Sequence, residues 1–223
     1  SSRTLNIDNP KLNCRLKGFN VFTPKRIILD KNLDIKLNSY IFKSAKKNEV
    51  NDPNAMSLAT VGAGSKPSVR IVLMKNYDRD GFVFYTNLTS RKGTELAQNP
   101  HASLVFHWKT LAKQIRIDGT TEAVSNEEAD EYFQTRARIS QIGAWASKQS
   151  QPLENREQLL EAVKRFETKY KEGDVPRPTH WSGFRLKPTR IEFWQDAEYR
   201  LHDRFIFDKI SDRHDWTITR LSP

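Results

Sequence analysis

Between residues 55 and 87 the chain runs AMSLATVGAGSKPSVRIVLMKNYDRDGFVFYTN, and it reads as strands. Residues 55–61 form a first β-like run, broken by Gly62 and Gly64. Residues 68–75 form a second. Asp80-Gly81 then closes a turn before a third at 82–87. Short runs joined by such turn residues predict a meander of antiparallel strands.

Reading downstream, Ser90 is placed to cap a short helix that ends before Pro100. Two more strands are expected at 102–108 and 113–123. In the second, Gln114, Arg116 and Asp118 alternate with Ile115 and Ile117, which gives one polar face. Ser125-Asn126-Glu127-Glu128 has the form of a capping box. Helical stretches follow at about 140–148 and 155–171, the last stopping at Gly173 with Pro176 and Pro178 beyond. Strands return from 181 to 221. Upstream, Asn51-Asp52-Pro53-Asn54 punctuates the chain, and 34–47 has a weak helical pattern. Strands, then helices, then strands predict a mainly β fold with flanking helices, built as a closed or nearly closed barrel. A parallel dinucleotide-binding sheet is disfavoured, because strands and helices do not alternate and no GxGxxG occurs.

Bulk properties narrow the function. The 223 residues suffice for one large domain or two small ones, and mean hydropathy is −0.71. No window approaches the roughly 18 apolar residues of a membrane span. Cys14 is the single cysteine, so an intrachain disulfide or multi-cysteine metal site is excluded and a reducing compartment fits. The expected location is the cytoplasm, with an organelle-targeting leader removed ahead of Ser1 left open. Net charge is +10, and residues 1–50 carry 11 Lys/Arg against 4 Asp/Glu. That divides the chain into a basic N-terminal arm, 1–50, and a domain, 51–223. The arm could touch nucleic acid, but the later body is not basic enough for a nucleic-acid groove.

Polar clusters carry the chemistry. In IEFWQDAEYRLHDRF, residues 191–205, Arg200, His202 and Arg204 alternate with Leu201 and Asp203. On a strand they would share one face, and like charges so close call for an anion or a π-rich ring against them. Arg70 and Lys75 bracket the apolar Ile71, Val72, Leu73 and Met74. Tyr85-Thr86-Asn87 precedes Ser90-Arg91-Lys92 at a helix start, a grouping that suits a phosphate. Tyr132, Arg136 and Ser140 are spaced by four, one stripe of a continuous helix. Gln149-Ser150 follows an apolar segment. Each cluster taken alone also fits a solvated strand, an ordinary capped helix or core packing. GxSxG, HExxH, P-loop and paired-cysteine motifs are absent, and His101, His107, His180, His202 and His214 have no ligand spacing, so no metal is expected.

Together these segments resemble the pyridoxine/pyridoxamine 5′-phosphate oxidase family over about residues 51–223. The resemblance rests on RIVLMK (70–75), FYTN (84–87), SRK (90–92), SQIGAWASKQS (140–150), IEFWQ (191–195), RLHDRF (200–205) and RLSP (220–223). It implies an FMN-binding split β-barrel working as a homodimer, with FMN at the subunit interface. It further implies oxidation of a vitamin B6 phosphate by O2 to pyridoxal 5′-phosphate and hydrogen peroxide. Arg70, Ile71, Val72, Leu73, Met74, Lys75, Tyr85, Thr86, Arg91, Lys92 and Gln114 would hold FMN from one subunit. Gln149, Ser150, Trp194 and Arg204 would reach it from the other. Lys75, Tyr132, Arg136 and Ser140 would take the substrate phosphate, and Arg200 and His202 would cover its ring as the catalytic pair.

The chain departs from the family pattern at three places. Ala137 stands where a proline is usual, which is expected to loosen the turn beside Arg136. Ser182 stands where a glycine is usual, and residues 1–50 lack the usual N-terminal pattern. Another split-barrel flavin reductase, or a non-catalytic binder of pyridoxal phosphate or nucleic acid, remains the alternative reading.

Overall fold

A computed structural model describes residues 52–210 and 215–223. The basic arm and the expected 34–47 helix lie outside the described residues. Strands β1 (Ala55–Val61), β2 (Pro67–Leu73), β3 (Asn76–Tyr77) and β4 (Phe82–Asn87) come first. Helix α1 (Arg91–Gln98) follows, then β5 (His101–Trp108) and β6 (Lys113–Ala123). Three helices come next, α2 (Asn126–Gln134), α3 (Arg138–Ala146) and α4 (Arg156–Lys169). The chain ends with β7 (Trp181–Gln195), β8 (Asp203–Lys209) and β9 (Trp216–Leu221).

These strands form one curled, antiparallel sheet in the order β2-β1-β5-β6-β7-β4-β3, with β8 and β9 added beyond β7. The pairing is antiparallel as expected, but it is not a simple meander. β4 pairs with β7, so the β3–β4 hairpin sits at the far end of the sheet from β1–β2. The curl brings those ends back together: the Lys75 N–H donates to the Val83 carbonyl at 2.8 Å. This is a split barrel, and its interior follows from strand alternation. Met56, Leu58, Leu104, Phe106, Ile117 and Ile191 are buried on one face. Fully burying each such side chain is worth about 1.5–3 kcal/mol. The other face carries Ser57, Ser103, Gln114, Arg116, Trp194 and Arg204, with Val69 and Ile71 exposed at its edge.

Two local expectations are corrected. Tyr132, Arg136 and Ser140 do not lie on one helix: α2 ends at Gln134, Thr135 caps it, and α3 starts at Arg138. Nor do Arg200, His202 and Arg204 alternate along a strand. Residues 198–200 form a 3-10 turn closed by Leu201 N–H to the Glu198 carbonyl, with Tyr199 and Arg200 left-handed. β8 begins only at Asp203. The capping box is also divided. Ser125 Oγ accepts from the Glu128 N–H, whereas the Glu128 carboxylate crosses to Arg185 at 3.1 Å.

Candidate functional site

A cleft of about 780 Å³ opens between the β2 edge, the end of β4 and the α2–α3 junction. β2 contributes Arg70, Ile71, Val72 and Leu73, and Lys75 follows at the corner. β4 contributes Tyr85, Thr86 and Asn87, and α1 contributes Lys92. Tyr132, Arg136, Ala137, Ser140, Gly143 and Ala144 line the opposite wall, with Ser147, Gln149 and Trp181 completing it. Among the described residues four cations therefore border the cleft, and not one Asp or Glu does. Unbalanced like charge in a confined space favours an anionic occupant.

Arg136 shows this most directly. Its guanidinium lies over the Trp181 ring, 4.7 Å from the centroid, and 5.5 Å from that of Phe133. Nη1 is buried with no hydrogen-bond partner among the described residues. Burial lowers the affinity of Arg136 for its proton, which the neighbouring Tyr132 partly opposes. A buried donor without an acceptor is costly, and an anion in the cleft removes that cost. The break between α2 and α3 is what turns Arg136 inward beside Ser140. Ala137 has φ −54°, inside the range that proline fixes, so the backbone here is compatible with a proline although the residue is alanine.

Lys92 is the second donor. Its Nζ donates to Gln149 Oε1 at 2.7 Å and to Ser90 Oγ at 3.2 Å, with no carboxylate among its described partners. Burial, assisted by the Arg70 charge, pushes its pKa down to about 8. Ser90 itself is fully buried and caps α1, its Oγ accepting from the Gly93 N–H. Of the Ser90-Arg91-Lys92 cluster, only Lys92 borders the cleft.

Arg70 borders the cleft but is held from behind. Nη1 donates to the Leu58 carbonyl at 3.2 Å and to Thr60 Oγ1, and Nη2 to Ser68 Oγ and to Glu95 Oε2 at 3.1 Å. Arg91 Nε meets the other oxygen of Glu95 at 2.8 Å. Burial alone would raise the Glu95 pKa, but hydrogen bonds from Ser68, Thr60, Arg91 and Arg70 outweigh it and hold the carboxyl at about 2.

An aromatic wall completes the site. Tyr85, Tyr132 and Trp181 cluster with nearly parallel planes, Tyr85 lying 4.0 Å from Tyr132 and 5.2 Å from Trp181, and those two 6.2 Å apart. Burial, then the nearby Glu128 charge, raises the Tyr85 phenol to about 12, so it stays protonated. Gly183 makes the stack fit, since a Cβ there would lie 2.8 Å from two Tyr85 ring atoms. The neighbouring Ser182 carries its side chain without disturbing the pairing of β4 with β7.

Sequence reasoning and structure meet unevenly here. Arg70, Ile71, Val72, Leu73, Lys75, Tyr85, Thr86, Lys92, Tyr132, Arg136, Ser140 and Gln149 are brought to one cleft. Gln149, assigned from sequence to the opposite subunit, sits against Lys92 and Thr86 of its own chain. Met74, Arg91, Gln114, Ser150, Trp194, Arg200, His202 and Arg204 do not border it. Gln114, Trp194 and Arg204 lie in register across β6, β7 and β8 on the outer sheet face. Arg204 bonds the buried Glu192 at 2.9 Å, and that carboxylate also takes Arg116 at 3.3 Å. Asn87, Ala137, Gly143, Ala144, Ser147 and Trp181 were missed as lining residues. Asn87 lies within the FYTN motif and Trp181 precedes the noted Ser182, whereas small residues on α3 give no chemical signal.

The fold and cleft define the class: a split barrel with a cation-lined cleft beside an aromatic wall. The sequence profile of the family described as pyridoxamine 5′-phosphate oxidase matches residues 42–170. That of the pyridoxine 5′-phosphate oxidase C-terminal dimerisation region matches residues 181–223. The chain is 58% identical over 179 residues to the pyridoxine/pyridoxamine 5′-phosphate oxidase of Maricaulis maris, covering 80% of this chain and 81% of that one. It is 55% identical to the enzyme of the same name from Gluconobacter oxydans, covering 80% and 88%. Among solved structures, PhzG from Burkholderia lata, in complex with tetrahydrophenazine-1-carboxylic acid, superimposes with TM-score 0.77 at 31% identity, covering 82% and 89%. An FMN-binding, oxidase-related protein from Nostoc punctiforme shares the fold at TM-score 0.67 and 14% identity, covering 84% and 97%. The chain belongs to the pyridoxine/pyridoxamine 5′-phosphate oxidase family and is an oxidoreductase. Its C-terminal dimerisation region supports a homodimer.

Proposed function

We propose that this protein is an FMN-dependent oxidase of pyridoxine or pyridoxamine 5′-phosphate. The observation that carries the reading is the cleft itself: among the described residues no acid lines it, and Arg136 keeps a buried N–H without a partner in a lining that includes Lys75 and Lys92. Both FMN and the substrate bear a phosphate and a flat ring, and the cleft offers cations and an aromatic wall for such pieces. The residues present therefore fit the cofactor. Lys92, Thr86 and the β2 segment 70–75 would hold FMN, and Arg136, Tyr132, Ser140 and Lys75 would hold the substrate phosphate. Bound FMN would supply the two-electron redox chemistry, with O2 as final oxidant and pyridoxal 5′-phosphate and hydrogen peroxide as products; the pyridoxamine form also consumes a water and releases its amino group as ammonia.

The side chains bind and orient rather than transfer protons. Arg136 and Lys92 give charge-assisted hydrogen bonds, worth about 1.5–3 kcal/mol each. Tyr132 and Ser140 would add hydroxyl donors to the substrate phosphate that Arg136 holds. Fixing one ring against another removes rotational freedom that a bimolecular encounter would lose, a gain that can reach several kcal/mol. In the homodimer, Gln114, Ser150, Trp194, Arg200, His202 and Arg204, which lie off the cleft of their own chain, would complete the partner's site. The small and polar outer face of the sheet, with Val69 and Ile71 exposed, suits that contact.

The test is oxygen uptake by purified protein supplied with FMN. Pyridoxamine 5′-phosphate is expected to drive uptake with equal hydrogen peroxide release, and unphosphorylated pyridoxamine is not. Failure to bind FMN, or equal turnover of both compounds, would refute the reading. A carboxylated tricycle such as the one PhzG of Burkholderia lata holds belongs in the same panel.

A further inference from the structure

Residues 170–180 connect α4 to β7 without forming a helix or strand. Their backbone carbonyls are held instead by side chains from the two helices that meet at Arg136. Arg138, the first residue of α3, donates Nη1 to the Gly173 carbonyl at 2.9 Å and Nη2 to the Tyr170 carbonyl. Gln134, the last residue of α2, donates to the Val175 carbonyl at 3.3 Å. Trp145, near the end of α3, donates Nε1 to the Pro176 carbonyl at 2.8 Å. Val175 itself is fully buried in a cluster with Phe133 of α2, Ile142 of α3 and Trp181 of β7. An irregular segment has no ladder to satisfy its carbonyls, and here the donors that do so come from both sides of the α2–α3 break.

Arg177 extends the same arrangement to Trp181. Its Nε donates to Asp130 Oδ1 at 2.6 Å and its Nη2 to Asn126 Oδ1 at 3.0 Å, both on α2. Its Nη1 donates to the Trp181 carbonyl at 2.9 Å. One guanidinium thus joins α2 to the residue whose ring lies beneath Arg136. A planar fork fixes direction as well as distance, which a lysine ammonium does not. Arg136 needs such support from outside. Its Nη1 has no partner among the described residues, and the ring faces of Trp181 and Phe133 against which it rests do not aim it as a hydrogen bond would. Where its guanidinium lies is therefore set by where α2, α3 and Trp181 are held.

We propose that residues 170–177 form a brace, with Arg138 and Arg177 as positioning residues that hold α2, α3 and Trp181 so that Arg136, Tyr132 and Ser140 converge on the substrate phosphate. The identity of that ligand rests on the oxidase reading, whereas the brace is a property of the fold and is measurable without substrate. Neither arginine borders the cleft. The β2 segment and Lys92, assigned to FMN, make no bond to either one, so the brace acts on the substrate grip and not on the cofactor.

Arg138→Met and Arg177→Met remove the donors and keep an unbranched side chain, and Arg138→Lys and Arg177→Lys keep the charge without the fork. Four quantities are measured: KM and kcat for pyridoxamine 5′-phosphate, Kd for FMN, and amide hydrogen exchange over residues 135–141 with FMN bound. Each methionine variant is expected to raise KM about tenfold or more, with kcat falling less than KM rises, because the phosphate grip is misplaced. The lysine variants should lie between methionine and wild type, and Kd for FMN should stay within about twofold in all four, as befits loss of substrate binding alone. The N–H groups of 135, 136, 140 and 141, which close the junction on the carbonyls of 132, 133 and 137, should exchange about tenfold faster in the methionine variants. Wild-type KM in either methionine variant, or a Kd for FMN that rises in step with KM, overturns the inference. Should a methionine variant not fold, its lysine counterpart decides, and wild-type KM there overturns it equally. If the wild type binds FMN but oxidises no B6 phosphate, the oxidase reading fails, and exchange at 135–141 still decides whether the brace holds the junction.

Discussion

Lys92 makes the affinity of the cleft for a phosphate dependent on pH in a calculable way. Burial and the Arg70 charge hold its pKa near 8, against 10.5 for an ordinary lysine. A bound phosphate favours the charged ammonium and raises that pKa. The group is then more basic in the complex than in the free protein, so affinity is complete below about pH 8 and is lost as pH rises through it. Between pH 7 and pH 9 the protonated fraction falls from about nine-tenths to about one-tenth, so Kd should rise about tenfold, or ~1.4 kcal/mol. The phosphate does not confuse the measurement, because its second pKa lies near 6 and it stays a dianion throughout. The assay is FMN titration followed by fluorescence quenching, at constant ionic strength, in steps from pH 7 to 9. Lys92→Arg stays charged over this range and is expected to flatten the profile. A flat wild-type profile, or the same slope in Lys92→Arg, would show that Lys92 does not carry the phosphate's charge.

Arg136→Gln should raise KM for pyridoxamine 5′-phosphate by about 10- to 100-fold, the loss of one charge-assisted bond, while FMN affinity measured by quenching changes little. Ala137→Pro is expected to stabilise the protein by about 0.4–1 kcal/mol, read as a higher urea midpoint at unchanged slope, because φ at 137 already suits proline. Destabilisation there would mean that the Arg136–Arg138 junction is not held as described. Glu95 has a folded pKa of about 2, below its ordinary 4.5, so it contributes stability fully above pH 4.5 and loses it as pH falls toward 2. The urea midpoints of wild type and Glu95→Gln should accordingly converge between pH 4.5 and pH 2.5, and a constant gap would contradict the role of the charge.

The strands were legible because their signals are local. Alternation and the Asp80-Gly81 turn fall within a few residues, as do the Ser90 and Ser125 caps, whose side chains accept from the third residue beyond. Strand order was not legible. Nothing in β4 itself announces that its partner is β7, about a hundred residues later, rather than β2 beside it. The cleft was legible as a set of residue types but not as a set of bonds. Arg70 and Arg91 read alike as free cations, yet both end on Glu95, a carboxylate that no motif marks. Arg200 and His202 read as strand neighbours because spacing by two is also what a tight turn can produce. The left-handed backbone at Tyr199 and Arg200 lacks the glycine that would have announced it.

The distribution of acids explains how such a cleft can exist before its ligand arrives. Glu95 sits behind Arg70, and the lone acid bonded to Arg204 is Glu192, buried on the outer face of the sheet. Glu95 neutralises Arg70 without itself lining the cleft, so that charge is tolerated in the fold without a carboxylate entering the cleft. Arg136 and Lys92 have no such counter-ion among the described residues, and the protein stabilises them by softer means. The Trp181 face lies under one, and the Gln149 amide oxygen meets the other. Rings and amides attract a cation less strongly than a carboxylate does, and a phosphate displaces or supplements them without first breaking an ion pair. A carboxylate placed on Lys92 would have held it more tightly and returned its pKa toward the ordinary range, and phosphate binding would then lose most of its driving force. Glutamine at 149 therefore matters through its neutrality: Gln149→Glu should lower FMN affinity more than Gln149→Ala, although only the former keeps an oxygen on Lys92.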